Sequence, residues 1–229
     1  MNLIVIEGLD GAGKSTQIQM LGEHFNKSGF KSDFLHFPRM EEPFFGELIS
    51  KFLRGEFGKL EDVNPYLVAM IYAGDRKDAS DLIRSWLNSG HYVLLDRYVY
   101  SNIAYQCAKL NNGAEQDILR DWILKLEFEH FKIPSPSLNI FLDVPFSFTE
   151  AKLNGKRSGD DRRYLNGNSD IHEESLIFQR KVRQIYIETS RTDPALEVLS
   201  CIDDSGEIMS PDIIFNKILN LLEQKQLFK

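Results

Sequence analysis

The sequence predicts an α/β fold built on a parallel sheet, and three observations carry that prediction. Five short apolar runs recur along the chain, stretches of helical period lie between them, and a glycine-rich turn joins the first run to the first helix. The runs are LIVIE (3–7), SDFLHF (32–37), YVLLD (92–96), LNIFLD (138–143) and LEVLSC (196–201). They are short, mostly apolar and rich in aliphatic or aromatic side chains, the pattern of strands covered on both faces. After the glycine turn, Ile18, Leu21 and Phe25 recur at helical spacing. A longer helix is predicted over 64–88, stopped by the NSG that follows, and others over 115–130, 170–190 and 210–226. Strands alternating with helices pack as a parallel sheet with right-handed crossovers.

Composition narrows the function. The 229 residues suit one domain, 1–229, and a 42% hydrophobic share is enough for a buried core. A net charge of −7 argues against a broad nucleic-acid surface. The two cysteines, Cys107 and Cys201, have no metal-ligand spacing and fit a reducing compartment. The opening MNLIVIEG lacks the basic start and long apolar stretch of a secretory signal. No apolar run approaches the roughly 20 residues that span a bilayer. A soluble cytoplasmic protein without a membrane partner is expected. The segment 152–169, KLNGKRSGDDRRYLNGNS, reads as a mobile loop inserted into the core.

The glycine turn carries chemistry. GLDGAGKS, from Gly8 to Ser15, fits G-x-x-x-x-G-K-[ST] between a strand and a helix. Glycines let backbone N–H groups turn inward around an anion, and the helix adds its positive end. Gly8, Leu9, Asp10, Gly11, Ala12, Gly13, Lys14, Ser15 and Thr16 are therefore expected around a nucleoside triphosphate. Lys14 supplies charge to the β- and γ-phosphates, and Ser15 offers its hydroxyl to Mg²⁺. The motif alone does not choose among GTPases, motor ATPases and small-molecule kinases. The guanine-reading N-K-x-D is missing, and the D-x-x-G at Asp203–Gly206 lies near the C-terminus, where it reads as a turn.

A second constellation is LLDRYVYSNIAYQ, 94–106. Asp96 ends an apolar strand, and ligands in open α/β sheets gather at the carboxyl ends of strands. Asp96 is thus expected beside the phosphates and Mg²⁺, with Arg97 at the same crevice.

Together these segments resemble the thymidylate kinase family. In chain order the likeness runs through GLDGAGKST, FPR (37–39), YAGDR (72–76), DRYVYSNIAYQ and an arginine-rich lid ending DRRYLNG. The resemblance implies a P-loop NTPase three-layer fold with a five-stranded parallel sheet, a lid at about 150–168, a homodimer, and phosphate transfer from MgATP to dTMP. It implies that Asp10 meets the deoxyribose 3′-hydroxyl and that Arg39 and Arg97 grip the acceptor phosphate. Tyr72 would stack on thymine, and Arg76, one helical turn later, would reach a base carbonyl. Ser101 and Gln106 would lie around the base, Tyr105 would crowd the 2′ position, and Tyr164 and Asn166 would stand at the end of the lid, Tyr164 among the dTMP contacts. Some family members carry an arginine in the phosphate loop at the position of Gly11, so here a lid residue, Arg157, Arg162 or Arg163, is expected to supply it. The lid's Lys152 and Lys156 add to that positive run. Two departures stand out: the acidic MEEPFF follows Arg39, and Leu153 occupies a position where the family often has an adenine-stacking arginine. The competing readings are another nucleotide or deoxynucleoside kinase on this scaffold, or a P-loop binding module with no acceptor.

Overall fold

The computed structural model describes residues 2–154 and 176–228. Its strands are β1 (Leu3–Glu7), β2 (Ser32–His36), β3 (Tyr92–Asp96), β4 (Leu138–Asp143) and β5 (Leu196–Ser200). They form one five-stranded sheet in the order β2-β3-β1-β4-β5, with every neighbouring pair parallel. The helices are α1 (Lys14–Lys27), α2 (Phe45–Leu53), α3 (Pro65–Asn88), α4 (Val99–Cys107), α5 (Gly113–Leu124), α6 (Phe146–Asn154), α7 (Leu176–Thr192) and α8 (Pro211–Gln224). A π-helical turn, Lys125–His130, continues α5.

The period of two along each strand divides the core. Leu3, Val5, Val93 and Leu95 face one layer, where Ala69 and Ile83 of α3, Ile103 of α4 and Val182 and Tyr186 of α7 cover them. Ile4, Ile6, Leu94 and Ile140 face the other, against Ile18, Leu21 and Phe25 of α1 and Ile214, Ile218 and Leu222 of α8. Helices on both faces of a parallel sheet are what the alternating sequence pattern predicts. Two helix starts are legible as caps. Asn64 accepts a hydrogen bond from the Tyr66 N–H ahead of α3, and Ser210 accepts one from the Ile213 N–H ahead of α8, each followed by proline.

The structure refines several boundaries. The runs predicted at 32–37 and 196–201 lose their last residue, and both are only partly covered because they form the sheet's edges. The predicted 115–130 helix is an α-helix that widens into the π-helical turn at Lys125. Helices α2, α4 and α6 lie where no helix is predicted from the sequence. Asp203–Gly206 does form a turn: the Asp203 carboxylate accepts from the Ser205 and Glu207 N–H groups. The lid residues Lys156, Arg157, Arg162, Arg163, Tyr164 and Asn166 lie outside the described residues.

Register sets up the site. Ile6 pairs with Asp96 across β1 and β3, so the carboxyl ends of the two central strands open side by side. The phosphate loop leaves β1 there, and the Asp96-Arg97 segment leaves β3.

Candidate active site

Between β1 and α1 the backbone reverses through Gly11 (φ 78°) and Gly13 (φ 85°), left-handed values that suit glycine. Gly13 precedes α1 without a side-chain cap, and the first turn of α1 carries no acid. That end of α1 is electrostatically suited to an anion. Lys14 is buried, donates to the Leu9 carbonyl at 3.2 Å, and lies 3.8 Å from Asp96 Oδ1. Burial and the nearby Arg97 lower the Lys14 pKa, while Asp96, Asp10 and Glu7 oppose the drop. Ser15 and Thr16 follow on the exposed first turn.

Asp96 is buried, and its Oδ1 has no hydrogen-bond partner among the described residues. Its Oδ2 lies 3.3 Å from His36 Nδ1. Burial works to raise the Asp96 pKa, but Lys14, His36 and Arg97 together hold it below its ordinary value.

Arg97 occupies a left-handed backbone position, φ 66°, a conformation that costs a non-glycine residue about 1–3 kcal/mol. The surroundings fix it there. Its N–H donates to the Ile6 carbonyl at 3.0 Å. Its guanidinium donates to Asp10 Oδ1 at 2.9 Å, to Ser101 Oγ at 3.0 Å and to the Tyr105 hydroxyl at 3.3 Å. The Tyr105 hydroxyl also donates to Asp10 Oδ2 at 3.1 Å. Asp10, Arg97, Ser101 and Tyr105 thus form one cluster at the mouth of the phosphate loop.

The remaining expected residues divide. Arg39 sits on the β2 side, where its Nε and backbone N–H grip the two Asp75 carboxylate oxygens at 2.8 and 2.9 Å. Its Nη2 donates to the Asp75 carbonyl. Glu42 of the acidic insertion lies 3.9 Å from Arg39 Nη1. Gly46 permits this packing, since a Cβ there would stand 2.3 Å from the Arg39 carbonyl oxygen. Tyr72 packs beside the α2–α3 cluster of Ile49, Phe52, Leu53 and Val68. Arg76 is deeply buried and makes a bidentate ion pair with Glu127, including Nη2 to Oε1 at 2.7 Å. Gln106 is buried, and its Oε1 lacks a partner among the described residues.

Sequence reasoning missed four polar residues that organise these groups: Glu7, Asp75, Asn102 and Glu127. Glu7, Asn102 and Glu127 are buried with hydrogen bonds to the site's residues or frame. Asn102 donates to the Ala69 carbonyl and to Glu127, each at 3.0 Å, while its Oδ1 is unpartnered among the described residues. A usable signal existed in LIVIE, whose apolar run ends in a glutamate, and at Glu127, which stands between Leu126 and Phe128.

A family model described as Thymidylate kinase matches residues 6–206. The chain belongs to the thymidylate kinase family. A thymidylate kinase from Mycobacterium tuberculosis is 33% identical over 187 residues, covering 81% of this chain and 84% of the relative. A probable thymidylate kinase from Thermococcus onnurineus is 31% identical over 229 residues, 98% of each. The solved structure of thymidylate kinase from Candida albicans superposes with a TM-score of 0.70 at 25% identity, covering 99% of this chain and 92% of that one. Among the described residues no helix is long and apolar enough to cross a membrane.

Proposed function

We propose that the chain phosphorylates dTMP to dTDP with ATP as donor, the phosphate loop holding the donor and Arg97 the acceptor phosphate. The observation that carries this reading is the Arg97–Asp10 contact. A buried guanidinium on strained backbone is held against a half-exposed carboxylate in the loop that serves ATP. An acceptor phosphate can take over that carboxylate's role toward Arg97 with bidentate geometry, which lysine would not reproduce. Asp10 Oδ1 can then accept from the sugar 3′-hydroxyl while Tyr105 still donates to Oδ2.

Around that pair, Gly8 to Thr16 wrap the ATP phosphates, and Lys14 neutralises charge on the β- and γ-groups. Arg39 joins Arg97 on the acceptor. Tyr72, Arg76, Ser101, Gln106 and Tyr164 are assigned to the nucleoside, with Tyr105 crowding the 2′ position. Ser15 and Asp96 would hold Mg²⁺. The exposed hydroxyl and the orphaned carboxylate oxygen are hard oxygen donors of the kind that ion takes. When bound it offsets charge on the transferring phosphates. The acceptor is already an anion, so no strong base is needed. Positioning and charge neutralisation carry the rate. With glycine at position 11, the transition-state arginine is assigned to the lid, at Arg157, Arg162 or Arg163. The chain is assigned to the cytoplasm and read as a homodimer; for the dimer, Leu48, Leu67 and Met70 offer exposed apolar side chains on α2 and α3.

The test is a coupled assay of ADP release with and without dTMP. Release is expected to depend on dTMP, and Arg97→Ala is expected to lower turnover by about 10²–10³ while leaving the protein folded. Release indifferent to dTMP would point to a binding module or a different acceptor.

A further inference from the structure

We propose that Glu7 is a positioning residue: a buried carboxylate that caps α4 from the end of β1 and so sets Arg97 against the phosphate loop. The inference rests on the reading of Arg97 as a ligand of the acceptor phosphate.

Helix α4 lacks a cap of its own. Its N-cap residue, Tyr98, makes no side-chain cap bond, and its hydroxyl instead donates to the Pro134 carbonyl at 3.1 Å. Helix starts leave N–H groups that need acceptors. Glu7, fully buried, reaches across from β1 to meet them. Its Oε1 accepts from the Tyr98 N–H at 2.9 Å and the Ser101 N–H at 3.2 Å. Its Oε2 accepts from the Tyr186 hydroxyl at 2.9 Å and from Ser101 Oγ. Burial raises the Glu7 pKa above its ordinary value; all four contacts bring a donor to a carboxylate oxygen and, with the Arg97 charge, oppose that rise. A negative group at a helix N-terminus is also favoured by the helix dipole.

The same residue reaches Arg97 through one intermediary. Ser101 Oγ donates to Glu7 and accepts from Arg97 Nη1. The Arg97 N–H is hooked to the Ile6 carbonyl, one residue before Glu7. The last two residues of β1 therefore hold both the backbone and the side chain of the arginine. A left-handed φ persists only where the surroundings over-determine it, and these contacts do so. Because Gly8 follows Glu7 directly, one residue ties the donor's loop to the acceptor's arginine. A shift of about 1 Å in such a group can cost about a hundredfold in rate.

The experiment is a mutant cycle in the full-length enzyme: Glu7→Gln, Arg97→Ala and the double variant, with kcat and KM measured for dTMP and ATP. Glu7→Gln is expected to lower kcat/KM for dTMP by about tenfold to a hundredfold, with KM for ATP within about twofold. In the Arg97→Ala background the same change is expected to cost less than about twofold, because the group it positions is gone. Losses that multiply in the double variant, or a Glu7→Gln enzyme with parental kcat/KM, would overturn the proposal. If Glu7→Gln does not fold, Tyr186→Phe replaces it in the cycle. That change removes a donor to Glu7 Oε2 and replaces no residue assigned to a substrate. Its loss must likewise vanish without Arg97, and a loss that persists would overturn the proposal. Parental turnover in Arg97→Ala alone would remove the reading of the site, and this inference with it.

Discussion

Arg76 and Arg97 are both buried, both paired with a carboxylate, and built into the same frame, yet their surroundings differ in kind. Arg76 meets Glu127 through two hydrogen bonds, and Asn102 binds the same buried glutamate, so its carboxylate partner belongs to the frame. Arg97 meets Asp10, a half-exposed residue of the phosphate loop, and sits on backbone with a positive φ. Burial alone therefore does not mark a cation whose partner a ligand can replace. What marks it is a partner standing at an opening, where a ligand can substitute for it. Lys109 extends the series. Its Nζ is buried with no hydrogen-bond partner among the described residues, 4.6 Å from the centre of the Phe52 ring. A cation over an aromatic face is only modestly stabilised.

The sharpest way to break the comparison is to open each pair. Glu127→Ala leaves Arg76 as an uncompensated buried charge and is expected to cost about 3–5 kcal/mol of stability. Urea unfolding measures it, and a loss under 1 kcal/mol would mean that the closed pair is not holding the α3 side together. Asp10→Asn should do the reverse. The amide still accepts from Arg97, so stability should move by no more than about 1 kcal/mol. The kcat/KM for dTMP should fall by about tenfold to a hundredfold, the worth of a hydrogen bond to a charged group. Equal damage to stability and activity would erase the distinction drawn here. Lys109→Met is the mildest test and should raise stability by about 1–2 kcal/mol at neutral pH, by removing an unsatisfied buried donor. Burial pulls the Lys109 amine down to about 7 from 10.5. Between those values the unfolded chain binds more protons than the folded one, so stability from this group climbs with pH across the window and is lost as pH falls toward 7. Stability measured from pH 7 to 10.5 should rise more steeply in the parent than in Lys109→Met. Identical slopes would show that the amine is solvated after all.

Much of the fold was legible because strands and helices have different periods. All five runs keep their predicted first residue, and LIVIE, YVLLD and LNIFLD match residue for residue. The edges β2 and β5 read like central strands, since sequence does not tell which strands will lack a second neighbour. The π-helical turn was hidden because an added residue per turn leaves composition unchanged. At the site, the phosphate loop and the Asp96-Arg97 segment were visible as motifs. The glutamates were not, because their partners come from far along the chain: Glu7 bonds Ser101 and Tyr186, and Glu127 bonds Arg76. Arg76 illustrates the limit. Helical spacing put it on the face of Tyr72, but only the fold reveals that its guanidinium is engaged by Glu127.

The sheet order has a consequence in time. β1 lies at the centre, hydrogen-bonded to β3 through Leu3↔Val93 and to β4 through Ile4↔Leu138. On the ribosome the middle strand is made first of the three. At typical synthesis speeds it waits roughly 5–20 s for its nearer neighbour and longer for the other. During that interval LIVIE is an apolar segment with both edges open, while the phosphate loop next to it has no β3 end to face. The helix that follows, α1, is the only local cover available, through Ile18, Leu21 and Phe25 against Ile4 and Ile6. The amphipathic stripe of α1 thus gives the nascent chain a cover for one face of its first strand until the rest of the sheet arrives.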